Sequence, residues 1–185
     1  MVSLTQLLLP ALLSAVLVFL VSSLIHMLTP WHAGDYTKLP KEDEVLAALR
    51  PFNIVPGTYL GPRPGPKEFG TPEFRAKLQR GPNVMMTVMP NTAGGMGQQL
   101  TTWFVYAALV ALFAGYITSR AVGAGVDRSV VFKFVGAIAF AAYSLGLWQM
   151  SIWYRRSWVV TFKSTIDGLL YGGLTAAAFA WLWPR

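Results

Sequence analysis

The chain has no cysteine, and this absence sets its first limits. Without a thiol it has no disulfide, no thiolate metal site and no cysteine nucleophile. The absence does not determine the redox compartment of the protein. Charged side chains are also scarce, at 12% of the 185 residues, whereas 54% are hydrophobic. A chain of this size and composition has room for one membrane domain and one small additional domain, and little for a large catalytic domain.

The chain instead contains long apolar runs that have no charged residue near their middle. Four of them have membrane length: residues 4–28, 100–119, 134–154 and 164–183. A helix needs about 20 apolar residues to cross a bilayer, and these runs are apolar on every side. We therefore predict an all-α membrane protein with four transmembrane helices. The first run is predicted to be retained, since no Lys or Arg precedes it.

The spacing of the runs predicts three parts. Residues 1–28 are the first transmembrane helix, residues 99–185 a three-helix transmembrane bundle, and residues 29–98 a long, ordered extramembrane loop. We expect that the first helix can lie apart from this bundle. Ten of the twelve prolines fall between Pro30 and Pro90, so the loop is Pro-rich.

The charge near the membrane predicts the side of the loop. Lys and Arg are favoured on the cytoplasmic side. Near the span ends, the loop side has six basic residues: Lys38, Lys41, Arg80, Arg155, Arg156 and Lys163. The opposite side has four: Arg120, Arg128, Lys133 and Arg185. This balance favours a cytoplasmic loop.

Two short helices and two strands are predicted within the loop. The first helix covers residues 40–50, with acidic residues in its first turn. The second begins after Thr71, an N-cap residue followed by proline. The stretches 52–60 and 84–89 have the composition of strands.

Each predicted loop helix has one apolar face. Val45 and Leu49 form the first face, and Phe74 and Leu78 form the second. Because nothing else in the chain obviously needs these faces, we predict that they bind a partner.

Small residues recur every four positions in two of the apolar runs. Such stripes let helix backbones approach closely in a membrane. The predicted helix-packing residues are Gly168, Gly172 and Ala176 in the last run and Ala107, Ala111 and Gly115 in the second.

His26 is the first candidate for chemistry, since it lies about one turn inside the end of the first run. With Trp31 and His32 it forms a candidate site for a quinone or for a haem- or chlorophyll-type ligand. A haem held by two histidines needs them on facing helices, and His32 instead follows Pro30 at the same membrane face. We therefore favour a hydrogen bond from His26 to a neighbouring helix or to the membrane interface, and we expect no cofactor.

Other candidates are assigned structural roles. Asp167 is predicted to pair with Lys163, one turn earlier in the same helix. Glu42 and its acidic neighbours serve a helix start, so no metal site is predicted, and no catalytic arrangement stands out. The glycine-rich stretch 91–97 lacks the Lys and Ser/Thr of a nucleotide loop and is interpreted as a flexible entry into the second span.

Several short motifs resemble a family of small four-span bacterial inner-membrane proteins of unknown function. They are Pro30-Trp31-His32, Asp35-Tyr36, Leu39-Pro40 with Glu42, Ser151-Ile152-Trp153, Ile166-Asp167-Gly168 and Trp181-Leu182-Trp183-Pro184. The resemblance covers most of the chain. It implies a multi-pass protein of the bacterial inner membrane, and the family has no activity or site residues to transfer.

Two hypotheses of function follow. The first is a non-catalytic accessory or assembly subunit of a larger respiratory or photosynthetic membrane complex, whose partners are other integral membrane proteins and lipid. The second is a quinone- or metallocofactor-binding membrane protein that uses His26 and His32. Nucleic acid is not an expected partner, because the net charge of +7 comes from residues at span ends and in the loop. A transporter is disfavoured, since no run has a charge near its middle.

Overall fold

A computed structural model of the protein describes residues 2–91 and 95–185. Its helices are α1 (Leu4–Leu28), α2 (Glu42–Leu49), α3 (Pro72–Arg80), α4 (Gly97–Ala121), α5 (Arg128–Ser144), α6 (Trp148–Tyr154) and α7 (Trp158–Leu182). Its strands are β1 (Gly57–Gly61) and β2 (Val84–Val88), and short 3-10 turns occur at Pro30–His32, Arg50–Phe52 and Leu145–Leu147. Part of the predicted flexible entry, residues 92–94, lies outside the described residues.

The chain divides into two compact units. Met1–Tyr36 and Gly95–Arg185 form one of them, here called the helical unit. Thr37–Gly94 form the other, called the loop unit.

Three helices of the described chain are long and apolar enough to span a membrane. They are Leu4–Leu28, Gly97–Ala121 and Arg128–Tyr154, the last being α5 continued through a 3-10 turn into α6. The predicted mostly helical membrane class is thereby confirmed for three spans, by length and composition. The remaining long helix, α7, has 25 residues but includes Lys163, Asp167 and several glycines and threonines, which lower its hydropathy.

The ends of α1 are defined by local hydrogen bonds. At the start, Ser3 and Gln6 form a capping box in which each side chain accepts the backbone N–H of the other residue. At the end, Thr29 leaves helical geometry, with φ −110° and ψ 153°, and its hydroxyl accepts the Trp31 N–H. This change of direction at Thr29 begins the Pro30–His32 turn, which supplies part of the candidate site.

The helical unit is one four-helix packing arrangement rather than a single helix beside a three-helix bundle. α7 packs against α5 and α1, and α4 packs against α1 and α5. α1 contributes a buried stripe of Leu7, Ala11, Ala15 and Val18, each at most 2% exposed. We expected that the first helix could lie apart from the bundle, but its buried stripe packs it against α4 and α7.

The small-residue stripes lie in helix interfaces. Ala107, Ala111 and Ala176 are fully buried. A Cβ on Gly172 would lie 3.0 Å from the backbone nitrogen of Phe140, and one on Gly115 would overlap the ring of Phe179. A side chain at position 172 would therefore push α7 and α5 apart by a few tenths of an ångström.

The loop unit contains the predicted helices and a two-stranded antiparallel sheet. β1 pairs with β2 so that Gly57 faces Val88 and Gly61 faces Val84. Thr71 caps α3 by accepting the Phe74 N–H at 3.2 Å. Among the described residues of this unit only Phe74 is buried, so the unit has a very small core of its own.

We expect Gly172→Ala to destabilise the protein and Gly173→Ala to leave it as stable or more so. Both changes add the same helix propensity, about 1 kcal/mol in a soluble helix. The new methyl at 172 meets the α5 backbone, whereas nothing lies within 4 Å of position 173, and such overpacking costs about 1–3 kcal/mol. Thermal unfolding in detergent measures the difference. Equal melting temperatures for the two variants would show that α5 and α7 do not pack at Gly172.

Candidate functional site

A hydrogen-bonded cluster joins the turn after α1 to α7. The carboxylate of Asp167, in α7, accepts the indole N–H of Trp31 at 3.1 Å through Oδ1. Its Oδ2 lies 2.9 Å from Nε2 of His32. Asp167 is only 5% exposed, and a buried carboxylate needs such partners because its lost hydration must be replaced. We call Trp31, His32 and Asp167 the clamp.

A second layer of contacts holds the other side of His32. Nδ1 of His32 lies 2.6 Å from Oδ2 of Asp35, and the Lys163 ammonium donates to Oδ1 of Asp35 at 3.0 Å and to the Trp31 carbonyl at 2.7 Å. Burial opposes ionisation of Asp35, but its hydrogen bonds with His32 and Lys163 outweigh burial and hold the pKa of this carboxyl below its usual 3.8. The His32 ring is therefore fixed from both sides by carboxylates.

His26 stacks on His32 at the end of α1. The two imidazole centroids are 4.2 Å apart and the ring planes differ by 11°. His26 Nδ1 donates to the Ser22 carbonyl at 3.0 Å, one turn earlier in α1, which leaves Nε2 available. His26, His32 and Asp167 each offer one ligand atom, and these atoms lie within 4.8 Å of one another. They are the described residues best placed to hold an ion.

A cavity of about 490 Å³ lies beside the clamp, between α1, α4, α5 and α7. His26 and Asp167 line its polar part. Its remaining wall is largely apolar and aromatic, and includes Trp103, Tyr106, Tyr143 and Tyr171. Cavities of this volume, mostly apolar with a few convergent polar groups, are typical of small-molecule sites.

The aromatic wall is a packed cluster. The ring of Trp103 is centred 5.6 Å from Tyr106, 6.1 Å from Tyr143 and 5.9 Å from Tyr171. The hydroxyls of Tyr143 and Tyr171 are buried and have no hydrogen-bond partner among the described residues. Buried hydroxyls are nearly always hydrogen-bonded in folded proteins, so these two are an unusual feature of residues that line the cavity.

The structure brings together the histidine and tryptophan residues that the sequence singled out, but with different partners. We predicted a hydrogen bond from His26 to a neighbouring helix or to the interface, but His26 donates within its own helix, to the Ser22 carbonyl. The predicted pair of Asp167 with Lys163 is wrong, because the turn after α1 places Asp35 beside Lys163 and leaves Asp167 to the clamp. The tyrosines of the cavity were missed, although a tyrosine inside an apolar run is itself a polar signal.

The predicted partner-binding residues lie in the loop unit. Leu49 and Leu78 are each 37% exposed, Val45 is half-buried, and Phe74 is 8% exposed. Phe74 therefore offers a partner little surface, and its role in binding stays a prediction along with those of the other three residues.

No family model, curated protein or solved structure matches this chain. A fold alone would in any case leave function open. The cavity, its two unpartnered hydroxyls and the adjoining clamp are therefore the basis for assigning a function.

We expect Asp167→Ala to lower the free energy of unfolding by about 1–3 kcal/mol for each buried donor left unpaired, because the Trp31 indole N–H and Nε2 of His32 both lose their acceptor. Asp43→Ala is the control, since Asp43 is exposed in the first turn of α2 and should contribute less than about 1 kcal/mol. Chemical denaturation in detergent compares the two. Similar losses would mean that the clamp does not stabilise the helical unit.

Proposed function

We propose that the helical unit binds a ring-bearing amphipathic molecule of the quinone or quinol class in the cavity beside the clamp. The observation that carries this proposal is the pair of buried, unpartnered hydroxyls of Tyr143 and Tyr171 in an aromatic wall. A quinone ring stacks on aromatic side chains, and its two carbonyl oxygens accept hydrogen bonds from hydroxyls. The aromatic rings and hydroxyls of the cavity wall are thus complementary to the ring and the carbonyl oxygens of a quinone.

The polar part of the cavity supports both redox forms of such a ligand. Nε2 of His26 is left free by the bond from Nδ1 to the Ser22 carbonyl, so it accepts a hydrogen bond from a quinol hydroxyl. The tyrosine hydroxyls are fully buried, so each must turn toward the ligand in order to donate to the quinone form or accept from the quinol form. The site therefore fits a molecule whose oxygens change between acceptor and donor.

The setting proposed for this site is a four-span membrane protein in which α7 is the fourth span. The outward face of α7 is apolar: Phe162, Ile166, Leu169 and Trp181 are all more than half exposed. Such a face suits contact with lipid, while the polar Asp167 faces inward. The loop would then lie outside the membrane, on the cytoplasmic side by its charge, and the resemblance to small bacterial proteins suggests the inner membrane.

We expect Tyr143→Phe and Tyr171→Phe each to weaken binding of a short-chain benzoquinone about threefold to tenfold, since each removes one hydrogen bond and leaves the ring in place. Quenching of tryptophan fluorescence in detergent measures the affinity. Tyr116→Phe is the matched control, because Tyr116 lies in α4 with an exposed side chain outside the cavity. Unchanged affinity in the Tyr143→Phe/Tyr171→Phe double variant would exclude the proposed ligand position.

A second candidate function is an accessory subunit of a larger electron-transport complex, and the loop unit favours it. Its exposed surface includes Phe69, at 81%, and Phe52, at 72%. Exposed aromatic side chains on a unit with so small a core suit a docking surface for another membrane protein. This function is compatible with a quinone site in the helical unit.

Under the subunit hypothesis, Phe52→Ser with Phe69→Ser should release a co-migrating complex on a native gel after mild extraction, since both apolar contacts are lost. The control is Lys67→Ser with Glu73→Ser, two polar changes in the same unit. A wild-type protein that migrates alone under these conditions would contradict the hypothesis.

A further inference from the structure

The three potential ligand residues beside the cavity share a feature that the quinone proposal does not require. Each already has one polar atom engaged by a neighbour. His26 Nδ1 donates to the Ser22 carbonyl, His32 Nδ1 contacts Asp35, and Asp167 Oδ1 accepts the indole N–H of Trp31. The candidate ligand atoms are Nε2 of His26, Nε2 of His32 and Oδ2 of Asp167, of which the last two contact each other at 2.9 Å.

These outer contacts are of the kind that orient metal ligands. Ligating histidines usually donate their second ring N–H to a carboxylate or a backbone carbonyl, and ligating carboxylates are themselves hydrogen-bonded. Here the Asp35 carboxylate contacts His32, and the Ser22 carbonyl accepts a hydrogen bond from His26. The Trp31 indole donates a hydrogen bond to Asp167. All three ligands are therefore oriented by the chain itself.

We propose that His26, His32 and Asp167 bind one divalent transition-metal ion of the zinc, iron(II) or cobalt(II) class. Two imidazole nitrogens and one carboxylate oxygen suit these ions, whereas magnesium and calcium favour sites made of oxygen ligands. Three protein ligands leave at least one coordination position open. Because His26 and Asp167 line the cavity, that position lies on the cavity side.

The local charge favours a cation. Two carboxylates, Asp35 and Asp167, are accompanied by one ammonium group, that of Lys163. Ligation through Nε2 requires neutral imidazoles, and the cluster then carries one net negative charge, whose burial strengthens the attraction for an ion.

Ion binding requires a small local change. The ligand atoms are spread over as much as 4.8 Å and must close to roughly 3 Å to meet bonds of about 2 Å. The stacked rings of His26 and His32 must also tilt, because an ion binds in each ring plane. His26 is exposed in the last turn of α1 and bonded only within that helix, so its ring is able to turn, and the ion replaces the contact of His32 Nε2 with Asp167 Oδ2.

Cobalt(II) is a suitable probe, because its visible absorption reports nitrogen and oxygen ligation. Full-length protein without a polyhistidine tag is stripped with chelator in detergent and titrated with Co²⁺, and Zn²⁺ is then added as a competitor. We expect one Co²⁺ per chain and displacement by Zn²⁺. His26→Ala should weaken Co²⁺ binding at least tenfold, since even the loss of a residue that only orients a metal ligand has an effect of this size. Folding should be unaffected, because His26 lies outside the clamp.

Asp167→Asn tests the carboxylate ligand while retaining an acceptor for Trp31, and it should weaken Co²⁺ binding to a similar degree. Asp43→Asn, in the exposed first turn of α2, should leave binding unchanged. Wild-type protein that binds no Co²⁺ at about a hundred micromolar, or equal affinity in wild type, His26→Ala and Asp167→Asn, would overturn the proposal. Benzoquinone binding to the stripped protein is measured separately, so the two proposals can fail independently.

Discussion

The buried carboxylate of Asp167 is the constraint on which the helical unit depends. A carboxylate with 5% exposure in an apolar bundle must replace its lost hydration with hydrogen bonds. Trp31 and His32 supply those bonds from the turn that follows α1. The clamp thereby ties the end of α1 to α7, and the His26 ring stacks on His32 at the edge of the cavity.

Close packing and open space occur side by side on α7. Gly172 faces the α5 backbone so closely that a methyl group would contact it. The preceding residue, Tyr171, points instead toward Trp103 and the cavity. Successive helix residues differ in direction by about 100°, so one turn of α7 provides both an interface for α5 and part of the cavity wall.

Local signals predicted much of the fold and little of the site. The apolar runs, the Thr71 cap and the two strand-like stretches depend on neighbours in sequence, and the structure has helices and strands there. The partner of Asp167 depends on where Thr29 turns the chain, and a cavity depends on four helices at once. Spacing along one helix therefore favoured Lys163, whereas tertiary structure gave Asp167 the indole of Trp31.

Binding of a quinone-type molecule in the cavity is tested most directly on protein purified from membranes in mild detergent. The protein is extracted with organic solvent, and quinones are quantified by mass spectrometry. We expect close to one quinone per chain in the wild type and a strong reduction in the Tyr143→Phe/Tyr171→Phe double variant. Recovery of no more quinone than from an unrelated membrane protein purified in parallel would contradict it.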